Sequence, residues 1–390
     1  MRHRASCNEA VLSRIPFATL EREHAELAYE LHDAFDRVLR RSGFILGEEV
    51  DRFEEAWAQA CGVSDCVGVG SGTAALAIAL RAAGIGGGDE VIVPAHTYIA
   101  SSLAVLQAGA VPVLCDVEDR TGLLDPEAAA AAIGPRTAAI LVVHLHGQIC
   151  DMPAFLRLVG RHGLALLEDA AQAHRAEGYG RRAGAFGLAA GFSFYPSKNL
   201  GALGDAGAIC TNDADLATRA RRIRNLGQRR KGEHVVPGVN ERLDGLQAAF
   251  LNVKLKGLDV ANAARRRHAL TYRASLDGRV RLLEERPATP CIYHLFPVRV
   301  PERDAVAAHM RDAGVDTGLH YSPPLHRQPA LRGLTVESGD LAHAEAWARE
   351  ELSLPISPQL RCAEVEAAAR ECVAAVEIVA LERGLELEPA

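Results

Sequence analysis

Lysine is scarce in this chain: only four of its 43 basic residues are lysines, namely Lys198, Lys231, Lys254 and Lys256. Arginine carries nearly all of the positive charge, and arginine stays protonated in proteins. Lysine can lose its proton, and only the neutral amine attacks a carbonyl group. A lysine at an internal, apolar position of this chain therefore needs a chemical reason, and Lys198 has apolar flanks.

Other features that the sequence lacks argue against membrane, secreted, metal-binding and nucleic-acid-binding proteins. No uninterrupted apolar run reaches the roughly 18 residues that a membrane span needs, and residues 1–14 lack the apolar stretch of a secretory signal. The nine cysteines include no C-x-x-C pair, so we expect reduced thiols, no metal site and a cytoplasmic location. A net charge of -7 disfavours nucleic-acid binding, and the basic run at 219–230 is interpreted as a solvent-exposed helix face.

The pattern between residues 66 and 211 predicts the fold class. Short apolar runs alternate there with helical segments, and the runs are 66–69, 91–93, 111–115, 138–143, 164–167, 191–194 and 207–210. Strands that are apolar on both faces and are joined by helices form parallel sheets. We therefore predict an α/β fold with a mainly parallel, seven-stranded sheet flanked by helices.

The chain beyond the sheet has a different pattern. A long helix is predicted over roughly 244–276, a strand over 292–300 and a helix over 303–313, which together indicate an α+β segment. The predicted organisation is an N-terminal arm at 1–24, a large α/β domain at 25–260 and a smaller C-terminal α+β domain at 261–390.

A glycine-containing turn follows the first predicted strand. Gly70-Ser71-Gly72-Thr73 opens a helix, where glycines allow close approach and unpaired N–H groups attract a phosphate. It is not the dinucleotide fingerprint, because Thr73 stands at its last glycine position. A plain tight turn is the alternative interpretation.

Two acids end the strand at 164–167. Ligands bind at the carboxyl ends of parallel strands, and Asp169 there would keep a pyridine nitrogen protonated. The alternative is that Asp169 caps the next helix. Gln172 and His174 follow at short spacing and are expected to face the same cleft.

Three further features lie near strand ends. Lys198 precedes a loop punctuated by glycines, and its apolar flanks would lower the pKa of the amine. Tyr98 follows the strand at 91–93 and would lie over a cofactor ring, unless it is a core residue. The polar loop that contains Asn240 precedes the long helix, where capping is the alternative role.

Taken in order, these segments resemble the sugar aminotransferases of the DegT/DnrJ/EryC1/StrS family, which have the type I fold of aspartate aminotransferase. The resemblance covers nearly the whole chain, through residues 15–17, 42–47, 70–73, 93–99, 168–174, 193–207, 238–248 and 318–326. It implies pyridoxal phosphate (PLP) as the cofactor. It also implies a homodimer with shared active sites.

The resemblance implies a role for each matching residue. Lys198 would bond covalently to the cofactor and move protons, and Asp169 would pair with the pyridine nitrogen. Cofactor contacts would come from Gly72, Thr73, Tyr98, Gln172, Ser193 and, in the neighbouring subunit, Asn240. The sugar-nucleotide side of the cleft would be formed by His320, Tyr321 and His326. No metal is expected.

The implied reaction is transamination of a nucleotide-linked keto-sugar with L-glutamate as amino donor, for natural-product or cell-surface glycan biosynthesis. The loop after Lys198 is most similar to that of enzymes acting at C3 of a dTDP-3-keto-6-deoxyhexose. Alternatives in the family are a C4 aminotransferase and a glutamine-dependent cyclitol aminotransferase. The family's 3-dehydratases carry histidine in place of Lys198, which argues against them. A non-catalytic binding or regulatory protein with this fold is the alternative from another class.

The chain departs from the family pattern at three positions. Arg175 stands where glycine is usual, Leu226 replaces a frequent tyrosine, and His146 takes another common tyrosine position. We expect the changes at Arg175 and Leu226 to alter the fit of the substrate.

Overall fold

A computed structural model describes residues 14–385. Residues 1–13, which include much of the predicted N-terminal arm and nearly all of the segment tested for a secretory signal, lie outside the described residues. Residues 386–390 do as well. Within the described part, no helix combines the length and the apolar character that crossing a membrane requires.

The described chain is built from the following elements. The helices are α1 (Leu20–Glu26), α2 (Ala28–Arg41), α3 (Glu48–Cys61), α4 (Gly72–Ala82), α5 (Ala100–Ala108), α6 (Pro126–Ala131), α7 (Met152–His162), α8 (Ala214–Arg224), α9 (Gly245–Lys254), α10 (Leu258–Leu276), α11 (Arg303–Asp312), α12 (Ala342–Glu350) and α13 (Cys362–Arg383). The strands are β1 (Asp65–Val69), β2 (Glu90–Pro94), β3 (Val111–Cys115), β4 (Thr137–Val143), β5 (Ala165–Asp169), β6 (Glu177–Gly178), β7 (Arg181–Arg182), β8 (Ala189–Ser193), β9 (Gly207–Thr211), β10 (Gln228–Arg230), β11 (Glu233–His234), β12 (Arg281–Leu282), β13 (Phe296–Arg299), β14 (Val336–Glu337) and β15 (Glu351–Leu354).

The main sheet has the strand order β1-β9-β8-β5-β4-β2-β3-β14. Only β9 runs against its neighbours, so the carboxyl ends of the other strands meet at one edge. The seven predicted strands are all present. The prediction missed the eighth, β14, because this exposed two-residue strand has no apolar run and joins the sheet only by pairing with β3.

Both faces of the sheet are covered, as the apolar runs predict. Val91 and Val93 pack into one hydrophobic cluster and the intervening Ile92 packs into the other. Helices α4, α5 and α8 contribute to the first cluster, and α3 and α7 to the second. Because both faces are packed, the position and direction of each strand end are fixed.

The C-terminal part differs in detail from its prediction. The expected long helix is interrupted by a 3₁₀ turn at Leu255–Gly257, which separates α9 from α10. The expected strand at 292–300 is shortened to β13, because residues 292 and 294 donate backbone hydrogen bonds to the 146–147 segment instead. Strand β13 pairs with β12 and β15 in a three-stranded antiparallel sheet.

The basic run at 219–230 is not a purely solvated face, so that interpretation was wrong. Arg224 is buried at the end of α8, where it donates to the Glu54 carboxylate and to the Gly68 carbonyl oxygen, each at 2.5 Å. A buried guanidinium is stable only when its charge is paired, and Glu54 supplies that partner.

Candidate active site

The carboxyl ends of β1, β2, β5 and β8 surround a cavity of about 460 Å³. Nine of the eleven predicted site residues line it: Gly72, Thr73, Tyr98, Asp169, Gln172, Ser193, Lys198, His320 and Tyr321. The last two come from the C-terminal part of the chain, which closes the cavity opposite the sheet. Two predicted residues, Asn240 and His326, are not part of the lining.

Lys198 lies on the turn that follows β8, and its side chain is half-buried in the cavity. A backbone hydrogen bond from its N–H to the Tyr195 carbonyl oxygen, at 2.8 Å, fixes the turn. Burial lowers the pKa of the amine to about 8, against the opposing effect of the Asp169 carboxylate. The amine is therefore much closer to its nucleophilic, neutral form than an exposed lysine is.

Asp169 ends β5 and is buried in the floor of the cavity. Its Oδ2 accepts a hydrogen bond from the Ser101 hydroxyl at 2.7 Å, and its Oδ1 accepts one from the Ala171 N–H at 3.2 Å. Burial raises the pKa of Asp169, while Ser101, Ala171 and the Lys198 charge hold it down. Sequence reasoning missed Ser101, because a serine in the first turn of a helix carries no signal of this contact.

The adjacent acid, Glu168, has a structural role. Its buried carboxylate accepts from the Nε2 of His144 at 3.0 Å and from three backbone N–H groups, those of Gly184, Phe186 and Gly187. These bonds fix the loop before β8. The two acids at the end of β5 thus have different roles: Asp169 faces the cavity, and Glu168 stabilises the loop before β8.

The start of α4 offers an anion site at one end of the cavity. Ser71 caps the helix by accepting from the Ala74 N–H at 3.1 Å, while Gly72 and Thr73 begin its first turn. Gly72 lies so close to Ser193 that an added Cβ would come within 2.6 Å of the serine Cβ. The absence of a side chain therefore brings the helix N-terminus and the Ser193 hydroxyl together, as phosphate binding requires.

Gln172 connects the two sides of the cavity. Its Oε1 accepts from the His146 N–H at 2.6 Å, and its Nε2 donates to the Tyr321 hydroxyl at 2.8 Å. The Tyr321 ring in turn lies 5.3 Å from the ring of Tyr98, between centroids, with the planes tilted by 42°. One amide thus fixes the position of an aromatic residue from a distant segment.

Two residues that the sequence placed in the cleft, His174 and His326, lie outside the cavity lining, whereas Asn240 was predicted to act in the neighbouring subunit. His174 does not face the cleft, as expected, but is fully buried against Trp57 and Phe192, with its Nε2 2.9 Å from the Ser193 carbonyl oxygen. The Nε2 of His326 lies 3.0 Å from the Glu345 carboxylate, outside the cavity lining. Asn240 is exposed on the single chain.

The three departures from the family pattern share a backbone feature. Arg175, Leu226 and His146 all have positive φ angles, of 62°, 58° and 61°. This region favours glycine, which explains why glycine suits position 175; here an ion pair of 3.0 Å with Asp259 accompanies the arginine. Neither Arg175 nor Leu226 lines the cavity, so the expectation that they alter substrate fit has no support in their positions.

These residues fit pyridoxal phosphate. The helix N-terminus with Ser193 suits the phosphate, and Lys198 supplies the amine that would bond to the aldehyde. Both Asp169 oxygens accept from neutral groups, so the carboxylate is available to a protonated ring nitrogen. Tyr98 lines the same cavity and offers an aromatic face.

Comparison with known proteins gives consistent matches. The family model described as "DegT/DnrJ/EryC1/StrS aminotransferase family" matches residues 26–372. The chain is 46% identical to the dTDP-3-amino-3,4,6-trideoxy-alpha-D-glucose transaminase of Streptomyces venezuelae, over 90% of this chain and 94% of that one. It is 45% identical to the dTDP-3-amino-3,6-dideoxy-alpha-D-galactopyranose transaminase of Aneurinibacillus thermoaerophilus, over 90% and 97%.

A solved structure matches as well. The crystal structure of DesV from S. venezuelae, in complex with a ketimine intermediate, superposes with a TM-score of 0.90. The two sequences are 45% identical, and the match covers 94% of this chain and 99% of DesV. The fold is therefore shared, over most of the length of the chain, with proteins of one enzymatic class.

Proposed function

The chain belongs to the DegT/DnrJ/EryC1/StrS aminotransferase family, and on that premise we propose that it transfers an amino group from L-glutamate to a nucleotide-linked keto-sugar. The cofactor of this family is pyridoxal phosphate, and a matched structure contains its aminated form. The observation that carries the proposal is Lys198, a half-buried lysine of lowered pKa in the cavity floored by Asp169.

The side chains of this cavity have separable roles. When bound, the cofactor supplies an electron sink that stabilises negative charge on the reacting carbon. Lys198 would hold the cofactor and act as the acid and base of the reaction, and ionised Asp169 would pair with the ring nitrogen. Gly72, Thr73 and Ser193 would bind the phosphate, and Tyr98 and Gln172 would contact the ring and its oxygen.

The acceptor sugar is proposed from two observations. The loop after Lys198 is similar to that of enzymes acting at C3, and two relatives at 45–46% identity are named as dTDP-3-amino sugar transaminases. We therefore place amination at C3 of a dTDP-3-keto-6-deoxyhexose. His320 and Tyr321 line the cavity on the side away from the sheet, where such a sugar would enter.

The same proposal includes a homodimer with shared active sites. Tyr98 lines the cavity yet is 56% exposed on the single chain, and Tyr29 on α2 is 84% exposed. Tyrosine is enriched at subunit interfaces relative to the rest of the protein surface, so both side chains are consistent with an interface. Asn240, also exposed, would contribute to the neighbouring subunit's cofactor phosphate. Sedimentation of the purified protein at several concentrations tests the dimer directly.

The first half-reaction is tested by absorbance spectroscopy of the purified protein with PLP. We expect a visible band from the lysine-bound cofactor that bleaches when L-glutamate is added. Lys198→Ala should lose this band, whereas Lys231→Ala, which removes an exposed lysine, should keep it. A wild-type protein without the band when saturated with PLP would refute the proposal and leave a non-catalytic binding protein as the explanation.

The second half-reaction identifies the sugar. The aminated enzyme should convert a dTDP-3-keto-6-deoxyhexose to the amino sugar, as followed by mass spectrometry of the product. Faster turnover of a 4-keto-sugar would favour a C4 aminotransferase. Faster use of L-glutamine and a cyclitol ketone would favour the remaining family alternative.

A further inference from the structure

A buried carboxylate lies behind the substrate side of the cavity and has no role in the mechanism above. Glu351 begins β15 and is 1% exposed. Its Oε2 accepts from the backbone N–H of His320 at 2.6 Å, and its Oε1 accepts from the Ser353 hydroxyl at 2.5 Å. Both oxygens are thus used, one on the backbone and one towards the side chain of the same histidine.

The hydrogen-bond chain that runs from Glu351 through Ser353 to His320 has a defined order of donors and acceptors. Above its raised pKa of about 7, Glu351 is an ionised carboxylate that can only accept, so Ser353 donates its single hydroxyl proton to Glu351 and can only accept from His320. The partner on that side is the Nδ1 of His320, at 2.9 Å. His320 must therefore carry its proton on Nδ1, which leaves Nε2 with a free lone pair.

The histidine ring is held firmly in this position. Gly318, two residues earlier, exchanges two backbone hydrogen bonds with Ser353, at 3.0 and 2.8 Å. On the other side the ring stacks on Phe17, with 5.6 Å between centroids and 17° between planes. His320 lines the same cavity as Lys198, and no residue in the described part of the chain is hydrogen-bonded to its Nε2.

The charge of His320 is consistent with this arrangement. Burial, with a further contribution from the nearby Lys198 charge, lowers the pKa of His320 to about 4. The ring is therefore neutral at physiological pH, so its protonated nitrogen is decided by the hydrogen bond to Ser353. A neutral histidine protonated on Nδ1 accepts hydrogen bonds at Nε2 and cannot donate them there.

We propose that Glu351 is a positioning residue for amine transfer, which acts through Ser353 to hold His320 in the tautomer whose Nε2 accepts a hydrogen bond from a hydroxyl group of the acceptor sugar. This inference rests on the proposed function for its ligand, but not for its hydrogen-bond chain. It assigns the recognition of a sugar hydroxyl to three residues on two segments, of which only His320 touches the cavity.

Glu351→Gln tests the hydrogen-bond chain by reversing which group donates and which accepts at each step. The amide oxygen can still accept from the His320 N–H, but the amide N–H₂ must donate to Ser353. Ser353 then donates to Nδ1, and His320 is protonated on Nε2 instead. Ser353→Ala breaks the chain without removing the buried carboxylate, and it serves if the glutamine variant does not fold. The control is Glu350→Gln, the neighbouring glutamate, whose carboxylate pairs with Arg299 and lies outside the cavity lining.

Two measurements on the holoenzyme decide the matter. The NMR measurement uses ¹⁵N-histidine labelling above about pH 8, where Glu351 is ionised, with the His320 signals identified by their loss in His320→Asn. It should show Nδ1 protonated in the wild type and in Glu350→Gln. The signals should show Nε2 protonated in Glu351→Gln. In kinetics, Glu351→Gln and Ser353→Ala should raise the KM for the keto-sugar by about 10-fold or more, the usual effect of a mismatched hydrogen bond. Their glutamate half-reaction should stay within about twofold of the wild-type rate.

Any different result refutes either this inference or the proposed function. An unchanged tautomer in Glu351→Gln, or an unchanged KM for the sugar in both variants, refutes the inference. An equal loss in both half-reactions means that Glu351 only supports the fold, which also refutes it. A wild-type enzyme that transfers no amine refutes the proposed function instead, and the NMR comparison then still tests the hydrogen-bond chain.

Discussion

Ser101 offers the sharpest test of how the cavity controls the charge of Asp169, the carboxylate that we propose pairs with the cofactor. Its hydroxyl donates to Asp169 over 2.7 Å in a buried environment. A hydrogen bond to a charged group contributes about 1.5–3 kcal/mol, which corresponds to a rate factor of roughly 10 to 100. Ser101→Ala should therefore slow the glutamate half-reaction by about that factor, provided that catalysis needs ionised Asp169.

The same substitution predicts a change in the pH profile. Ser101 lowers the pKa of Asp169, so its removal raises that pKa and moves the acid limb of the rate profile to higher pH. The other groups that act on Asp169 are the Ala171 N–H, Lys198 and His144, and the substitution leaves them in place. Stopped-flow bleaching of the cofactor band, measured across pH, gives both the rate and the limb.

The neighbouring serine provides a matched control. The Ser102 hydroxyl is also buried but has no hydrogen-bond partner among the described residues. Ser102→Ala should leave the rate and the profile unchanged and should not reduce stability. Equal effects of the two substitutions would refute the assignment, because they would show that the loss arises from packing and not from the bond to Asp169.

Three further predictions concern titration and stability. In the apoprotein the rate of cofactor attachment to Lys198 should rise with pH and level off above about pH 8, since the neutral amine attacks; a rate still rising at pH 10 would contradict the lowered pKa. Burial raises the pKa of Glu351 from 4.5 to about 7, so its ionisation destabilises the fold progressively as pH rises through that window. Glu351→Gln should therefore gain up to about 3 kcal/mol in the free energy of unfolding, relative to wild type, between pH 4.5 and pH 8, as measured by denaturant titration; a constant difference would contradict this. Glu364 accepts hydrogen bonds from both Nη atoms of Arg22, at 2.8 and 2.7 Å. Glu364→Gln should therefore lower the free energy of unfolding by about 1–3 kcal/mol, as measured by thermal unfolding. Glu366→Gln, at an exposed position, should leave it nearly unchanged.

The placement of the proposed cofactor residues in one cavity could be predicted from sequence because these residues follow buried strands. Asp169 and Lys198 come at or soon after the ends of β5 and β8, and parallel strands of known direction bring such ends together. The apolar pattern that marks the strands therefore also predicts that Asp169 and Lys198 lie close together. The same logic failed for His174, because a position five residues past a strand end depends on how the loop turns, and here the loop turns the ring into the core.

Ser101 and Glu168 show a second limit. Both are buried polar groups whose partners are fixed by packing between elements, and neither contact has a periodic signal in the chain. A pair of acids at a strand end predicts that one faces a ligand, but only the loop at 184–187 decides that Glu168 is the one that does not.

The side of the cavity proposed to bind the sugar depends on contacts that sequence pattern does not encode. Tyr321 is separated by 149 residues from Gln172, its hydrogen-bond partner, and the backbone N–H of Tyr321 donates to the Nε2 of His96, 225 residues away. Each bond exists only because β15 and the segment before it close over the sheet. Resemblance to a family therefore supplied His320 and Tyr321, while the chain from Glu351 through Ser353 needed the coordinates. If the strand ends determine the chemistry and the C-terminal segment contacts the sugar, as we propose, substitutions in β15 should change substrate preference without changing the amine donor.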